Sequence, residues 1–233
     1  MSADWADDWA ELDDRGLRLY TGLHRMLLRL AGQLPDELIS RARALLAEGE
    51  LAYLPDAVTI AAAEAGVALT AGEIEVLREV FTALGLDGEP AAAGEVTLTT
   101  TTPATGHTFS PDSVRPPRVP AGIDLSGGVP GELAELEDDL FDLTDHLVVD
   151  ALSERPGVVA VRRAWRDGSP GPRRVFLVEV DPGVPAWEAA LEGQTEAEQL
   201  GESDPRVEVY WTGDDLPPYH RAAIEAAALL WRR

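Results

Sequence analysis

The chain has 233 residues, 45% of them hydrophobic, and a formal net charge of -23, with neither cysteine nor lysine. It is long and apolar enough to bury a substantial core, and the missing residues exclude disulfides, thiolate nucleophiles, iron–sulfur clusters, cysteine-ligated zinc, Schiff-base lysines and the phosphate-loop lysine. So large an acidic excess argues against binding nucleic acid or an anionic membrane through phosphates, and its natural complement is a basic protein partner.

The N-terminus, "MSADWADDWAELDD", is acidic where a secretory leader is basic and then apolar. No run approaches the roughly 18–20 apolar residues of a membrane span, so a cytoplasmic location without membrane association is expected. Trp5, Trp9, Leu12, Leu17, Tyr20, Leu23, Leu27 and Leu30 recur at helical spacing and predict one broad apolar helix face. A second helix is predicted over "LPDELISRARALLAEGE", started by Pro35, Asp36 and Glu37 and ended by Gly49, and a third from about Pro55 to Ala65. Thr70 and Glu73 form a capping-box pattern ahead of a fourth helix that stops at Gly85. Four helices with short loops predict an all-α four-helix bundle over 1–87.

Residues 88–131 are rich in Pro, Thr and Gly and read as a linker or interaction segment, with a possible short hairpin between "EVTLTTTT" and "HTFS". Beyond it, Leu133, Leu136, Leu140, Leu143, Leu147 and Ala151 predict an amphipathic helix. "VVAVRRAWR" and "RRVFLVEV" predict a hairpin, a helix follows from about Pro185 to Leu200, and "RVEVYW" leads to a last helix from Pro217 through Trp231. The expected fold is therefore α+β, with a C-terminal α-β-β-α-β-α domain over 132–233 holding a small three-stranded sheet, its helices mainly on one face.

Three groups of residues are candidates for chemistry. Arg162, Arg163, Arg166, Arg173 and Arg174 flank one turn, so pairing should gather them near one end of the sheet. There they would bind an anion or an acidic peptide, or else the chain's own carboxylates. Asp138, Asp142 and His146 lie four apart, as two turns of a metal-binding helix row would; the same positions suit a solvated helix face. Asp214, Asp215 and His220 form a third cluster, read either as a site or as a strand handing over to a helix capped by an aspartate. A structural His220 should be covered, whereas a catalytic one should be open to solvent beside the aspartates. His107, Ser110 and Asp112 are close in sequence but lack a nucleophile-elbow pattern, and His24 suits a packed position.

These observations predict a non-catalytic interaction protein, of adaptor, inhibitor or immunity type, with an acidic surface and no cofactor. The alternative is a small-anion or metal-binding regulatory protein, or a hydrolase, using the arginine hairpin or the Asp/His clusters.

Overall fold

A computed structural model of the chain describes residues 12–111, 143–168 and 171–233. Helix α1 (Asp14–Leu30) begins where the Asp13 carboxylate accepts a hydrogen bond from the Gly16 amide, which satisfies one of the unpaired donors of the first turn. Its first buried residue is Leu19, so Leu17, expected on the apolar face, projects beyond the core and is exposed. Trp5 and Trp9 lie outside the described residues. Helix α2 (Asp36–Ala47) opens on Pro35 and two acids, and α3 (Leu54–Ala65) stops at Gly66, as their signals predict. Helix α4 (Ala71–Ala83) carries the full capping box: Thr70 Oγ1 accepts from the Glu73 amide, and the Glu73 carboxylate accepts from the Thr70 amide.

Two short strands, β1 (Leu69–Thr70) and β2 (Leu98–Thr99), pair in parallel beside these helices. The main sheet contains β3 (Phe109–Ser110), β4 (Val158–Arg166), β5 (Arg173–Val180), β6 (Arg206–Trp211) and β7 (Ala228–Arg232), in the order β3-β4-β5-β6 with β7 also on β4. β4 and β5 form the expected hairpin, and β6 runs parallel to β5. On its other edge β4 pairs with β3 at residues 165–166 and with β7 at residues 160–163, so the two strands share that edge end to end.

Among the described residues the sheet thus has five strands where the sequence predicts three. The expected hairpin in the linker does not form, because β2 pairs with β1 and β3 with β4. The final helix, α7, spans only Pro218–Ala226; Ala227 is extended and the chain turns into β7. Backbone donors and acceptors on the free edge of β4 offer this short segment a full ladder, which outweighs its helical spacing.

Helices cover both faces of the sheet, not mainly one. α6 (Ala186–Gln199) and α5, described over residues 143–153, pack with Phe176, Val178, Val207 and Val209. On the opposite face Ala223 and Ile224 of α7 meet Val175, Leu177 and Tyr210. Gly193 permits the close approach of α6, because a Cβ there would lie 2.9 Å from Val207. In α5 the buried side is Asp145, Val148 and Leu152, whereas Leu143 is exposed; the buried stripe is rotated from the predicted leucine row, towards the charges of the hairpin.

Leu23, Leu27 and Leu46 of the helical half belong to the same apolar cluster as Val178, Trp187 and Val207 of the sheet half. Each such wholly buried side chain contributes roughly 1.5–3 kcal/mol relative to exposure. The partition into 1–87, 88–131 and 132–233 follows composition, and this core runs across it. No helix among the described residues is long and apolar enough to cross a membrane.

Candidate functional site

The arginines of the hairpin are sorted by the pleat of the sheet. Side chains alternate along a strand, so Arg162 and Arg166 share the α7 face with Ala164, while Arg163 and Trp165 face α5. Arg162 donates to Glu179 at 3.3 Å and to the Tyr210 hydroxyl at 3.1 Å. Arg163 is bound by Asp145 and donates to the Pro111 carbonyl. Arg174 lies 3.1 Å from the other oxygen of Asp145, its guanidinium 4.9 Å from the centre of the Trp165 ring. Asp145 therefore clamps the two arginines that meet on one face. Arg166 makes a bidentate pair with Asp36, and Arg173 has no carboxylate within ion-pair distance among the described residues. The register brings the hairpin arginines towards the turn end, with Arg166 opposite Arg173 and Arg174 opposite Trp165, but the pleat divides them between two faces, and Arg162, Arg163, Arg166 and Arg174 pair with carboxylates of this chain.

A second set of charges is buried where the helical half meets β6. Among the described residues β6 has a strand partner on one side only, and α1 and α2 cover the other. Arg43 of α2 forms a bidentate pair with Glu208, whose Oε2 is 2.8 Å from His220 Nε2 on α7. Arg43 and Glu208 are each 1% exposed and His220 0%. The Arg43 guanidinium and the His220 hydrogen bond outweigh burial and hold the Glu208 carboxyl down to about 2. With Glu208 ionised, His220 Nε2 is the donor. Nearby, Asp36 also accepts from Arg206 at 2.8 Å, so one carboxylate in the first turn of α2 neutralises guanidiniums from both β4 and β6. These two arginines hold the Asp36 carboxyl below its ordinary range against the cost of burial.

His24 is wholly buried in α1, its Nε2 donating to the Val209 carbonyl at 2.8 Å and its ring edge-on to Trp211 at 5.1 Å. Burial there pushes its pKa down to about 4, so the ring is neutral. Tyr219 packs edge-on against His107 and Phe109, and its hydroxyl oxygen accepts from Arg166 at 3.3 Å; burial pushes its hydroxyl pKa up. Its ring lies so close to Gly32 that a Cβ there would sit 2.5 Å from it, and Gly32 has a φ of +73° besides. Glu208 and His220 are the atoms of an acid–base couple, but sealed from solvent they hold α7, β6 and α2 together and offer no surface to a substrate.

The third cluster is divided. Asp214 pairs with Arg25 through both oxygens, at 3.2 and 3.0 Å, and Asp215 with Arg221 at 3.2 Å, while His220 is in the core on Glu208. Neither aspartate caps α7, whose N-cap residue is Pro217, with no side-chain cap. Instead both line a groove of about 530 Å³ between α1, the start of α4 and the β6–α7 turn. Of the helix row, His146 is exposed on α5, whereas Asp138 and Asp142 lie outside the described residues. Among the described residues no group of three or more His, Asp or Glu is placed to hold a metal ion. His107 Nε2 donates to the Gly32 carbonyl, Ser110 belongs to β3, and Asp112 lies outside the described residues.

Asp145, Asp36, Arg43 and Glu208 escape the sequence reading. Glu208 carries a usable signal: a carboxylate inside "RVEVYW", a strand buried at every position, requires a cation, and lysine is absent. Comparison of the chain with models of known families, with curated proteins and with solved structures finds no match.

Proposed function

We propose that the chain is a non-catalytic interaction protein, of adaptor, inhibitor or immunity type, whose acidic surface engages a basic protein partner. The observation that carries this reading is the direction in which charge is spent. Arg43, Arg163, Arg166, Arg174 and Arg206 are turned inward onto carboxylates of the chain, while Glu48, Glu50, Glu64, Glu75, Glu95 and Asp150 are exposed. Among the described residues these buried pairs set five arginines against only three carboxylates, Asp36, Asp145 and Glu208, which leaves an excess of acids outward to steer and select cationic surfaces. Four of the five hairpin arginines on which an anion-site alternative rests, Arg162, Arg163, Arg166 and Arg174, already have acidic partners.

The test compares two behaviours of the full chain. Polyarginine should bind with an affinity that falls steadily as salt rises, and phosphate, citrate or divalent metals, added at constant ionic strength, should leave the melting temperature unchanged. A rise in melting temperature with phosphate that is lost in Arg163→Gln, or with zinc that is lost in His146→Ala, would establish the small-ligand reading instead.

A further inference from the structure

We infer that the pole of the helical half where α2 and α4 end is the docking surface for the partner, and that it takes a segment with apolar side chains at its centre and arginine or lysine around them. The inference rests on the basic-partner reading above. α2 ends at Ala47 and leads into a 3-10 turn, Leu51–Tyr53, from which α3 starts. The short connection between α3 and α4 folds the two helices back on each other, so the far end of α4 returns to this turn and touches it. The chain beyond α4 is fixed beside it too, since the Ala91 amide donates to Asp56 in the first turn of α3 at 2.7 Å.

Three large apolar side chains stand out of this pole: Tyr53 is 70% exposed, Leu84 43% and Leu86 41%. Gly85, with a φ of +68°, ends α4, and the Leu86 amide then donates to the Phe81 carbonyl, which folds Leu86 back beside the last turn of the helix. Single apolar residues on a surface are commonplace, whereas a group of them marks an interaction site. A tyrosine with two leucines is the kind of apolar centre on which binding energy concentrates, and the tyrosine face also accepts a guanidinium or ammonium.

The charge around that centre selects the partner. α2 and α4 both present their C-terminal carbonyl ends, the negative ends of their dipoles, and neither has a basic residue in its last turn to offset them. Glu48 is the C-cap of α2, Glu50 begins the 3-10 turn and Asp87 follows Leu86. All three are exposed, and none has a cation within ion-pair distance among the described residues. Arg78, on α4, is already taken by Glu89 at 3.2 Å. The groove beside Asp214 and Asp215 differs in this respect, because Arg25 and Arg221 occupy its carboxylates. Two helix ends and three free carboxylates around one apolar centre call for cations on the rim of the partner. They oppose a second copy, since a twofold contact would set this pole against itself and bring like charges together.

The experiment measures binding of a fluorescent helical peptide, leucine on one face and arginine on the other, to the full chain by anisotropy in about 150 mM NaCl, where screening acts over about 8 Å. Tyr53→Ser and Leu86→Ser, which remove apolar surface without changing charge, should each weaken binding by about tenfold or more. Glu50→Gln combined with Asp87→Asn should weaken it as much and make it less sensitive to salt. Asp150→Asn combined with Glu225→Gln, two exposed acids on α5 and α7, should leave affinity within about twofold. Circular dichroism checks that the variants fold. If Tyr53→Ser and Leu86→Ser bind like the parent protein, or the Asp150/Glu225 variant loses as much as they do, the pole is not the site while the basic-partner reading survives. If Tyr53→Ser lowers the melting temperature of the free protein by several degrees, or sedimentation shows the parent pairing with itself until Leu86→Ser separates it, the chain covers its own pole and the inference is overturned. If the parent binds neither this peptide nor polyarginine, both readings fall.

Discussion

Glu208 is the residue on which the buried charges turn. Arg43 and His220 both depend on it, and removing one member of a wholly buried pair leaves a charge with no partner. Arg43→Ala or Glu208→Ala is therefore expected to lower unfolding free energy by about 3–5 kcal/mol in urea titrations. Arg43→Met combined with Glu208→Gln removes both charges and leaves His220 an acceptor, so its cost should fall well short of the sum of the single changes. His24 sets the response to acid. Its native pKa of about 4 lies below the ordinary 6.5, so the unfolded chain takes up a proton that the native chain refuses. Its contribution is complete above 6.5 and declines as pH falls towards 4, by up to about 3 kcal/mol. Glu208, held at about 2 against an ordinary 4.5, adds a further loss only as pH falls from 4.5 towards 2. Urea midpoints measured between about pH 7 and 5 should thus slope downward with acid, and His24→Gln should flatten that slope.

Among the elements, those governed by local chemistry were legible and those governed by distant partners were not. The capping box at Thr70 and Glu73 is present in both halves, and Thr70→Ala should cost about 1 kcal/mol by thermal unfolding. α2, α3 and the β4–β5 hairpin follow their start, stop and alternation signals for the same reason. β7 does not, since "ALLWRR" satisfies a helical row as readily as a strand, and only the open edge of β4 decides between them. Deleting 228–233 should expose the edge of β4, lower stability and promote association, visible by light scattering. The candidate site was legible in part. Asp214 and Asp215 stood out by their density, and both line the groove. Beside Leu216 and Pro217, the rest of the groove comes from α1, Thr70, α4 and Thr102, brought together by packing that no sequence spacing records. The arginines of the hairpin were visible as a cluster, but their separation onto two faces follows from the pleat, and of their acceptors only Glu179 lies in the hairpin, while Asp36 and Asp145 come from other elements.

For the molecule as a whole, one core and several buried ion pairs join the helical half to the sheet. Thermal unfolding should therefore be a single cooperative transition, coincident by far-ultraviolet circular dichroism and by tryptophan fluorescence. Residues 1–87 produced alone should not fold stably, because Arg43 would lose Glu208 and the leucines of α1 would lose the sheet. The inward turn of the arginines also fixes the sign of a response to ionic strength. Buried pairs such as Arg43–Glu208 are shielded from mobile ions, so added salt acts on the exposed carboxylates, whose mutual repulsion opposes the compact state. Sodium chloride should raise the melting temperature while it weakens the grip on a cationic partner, so the protein would be sturdiest where it is least adhesive.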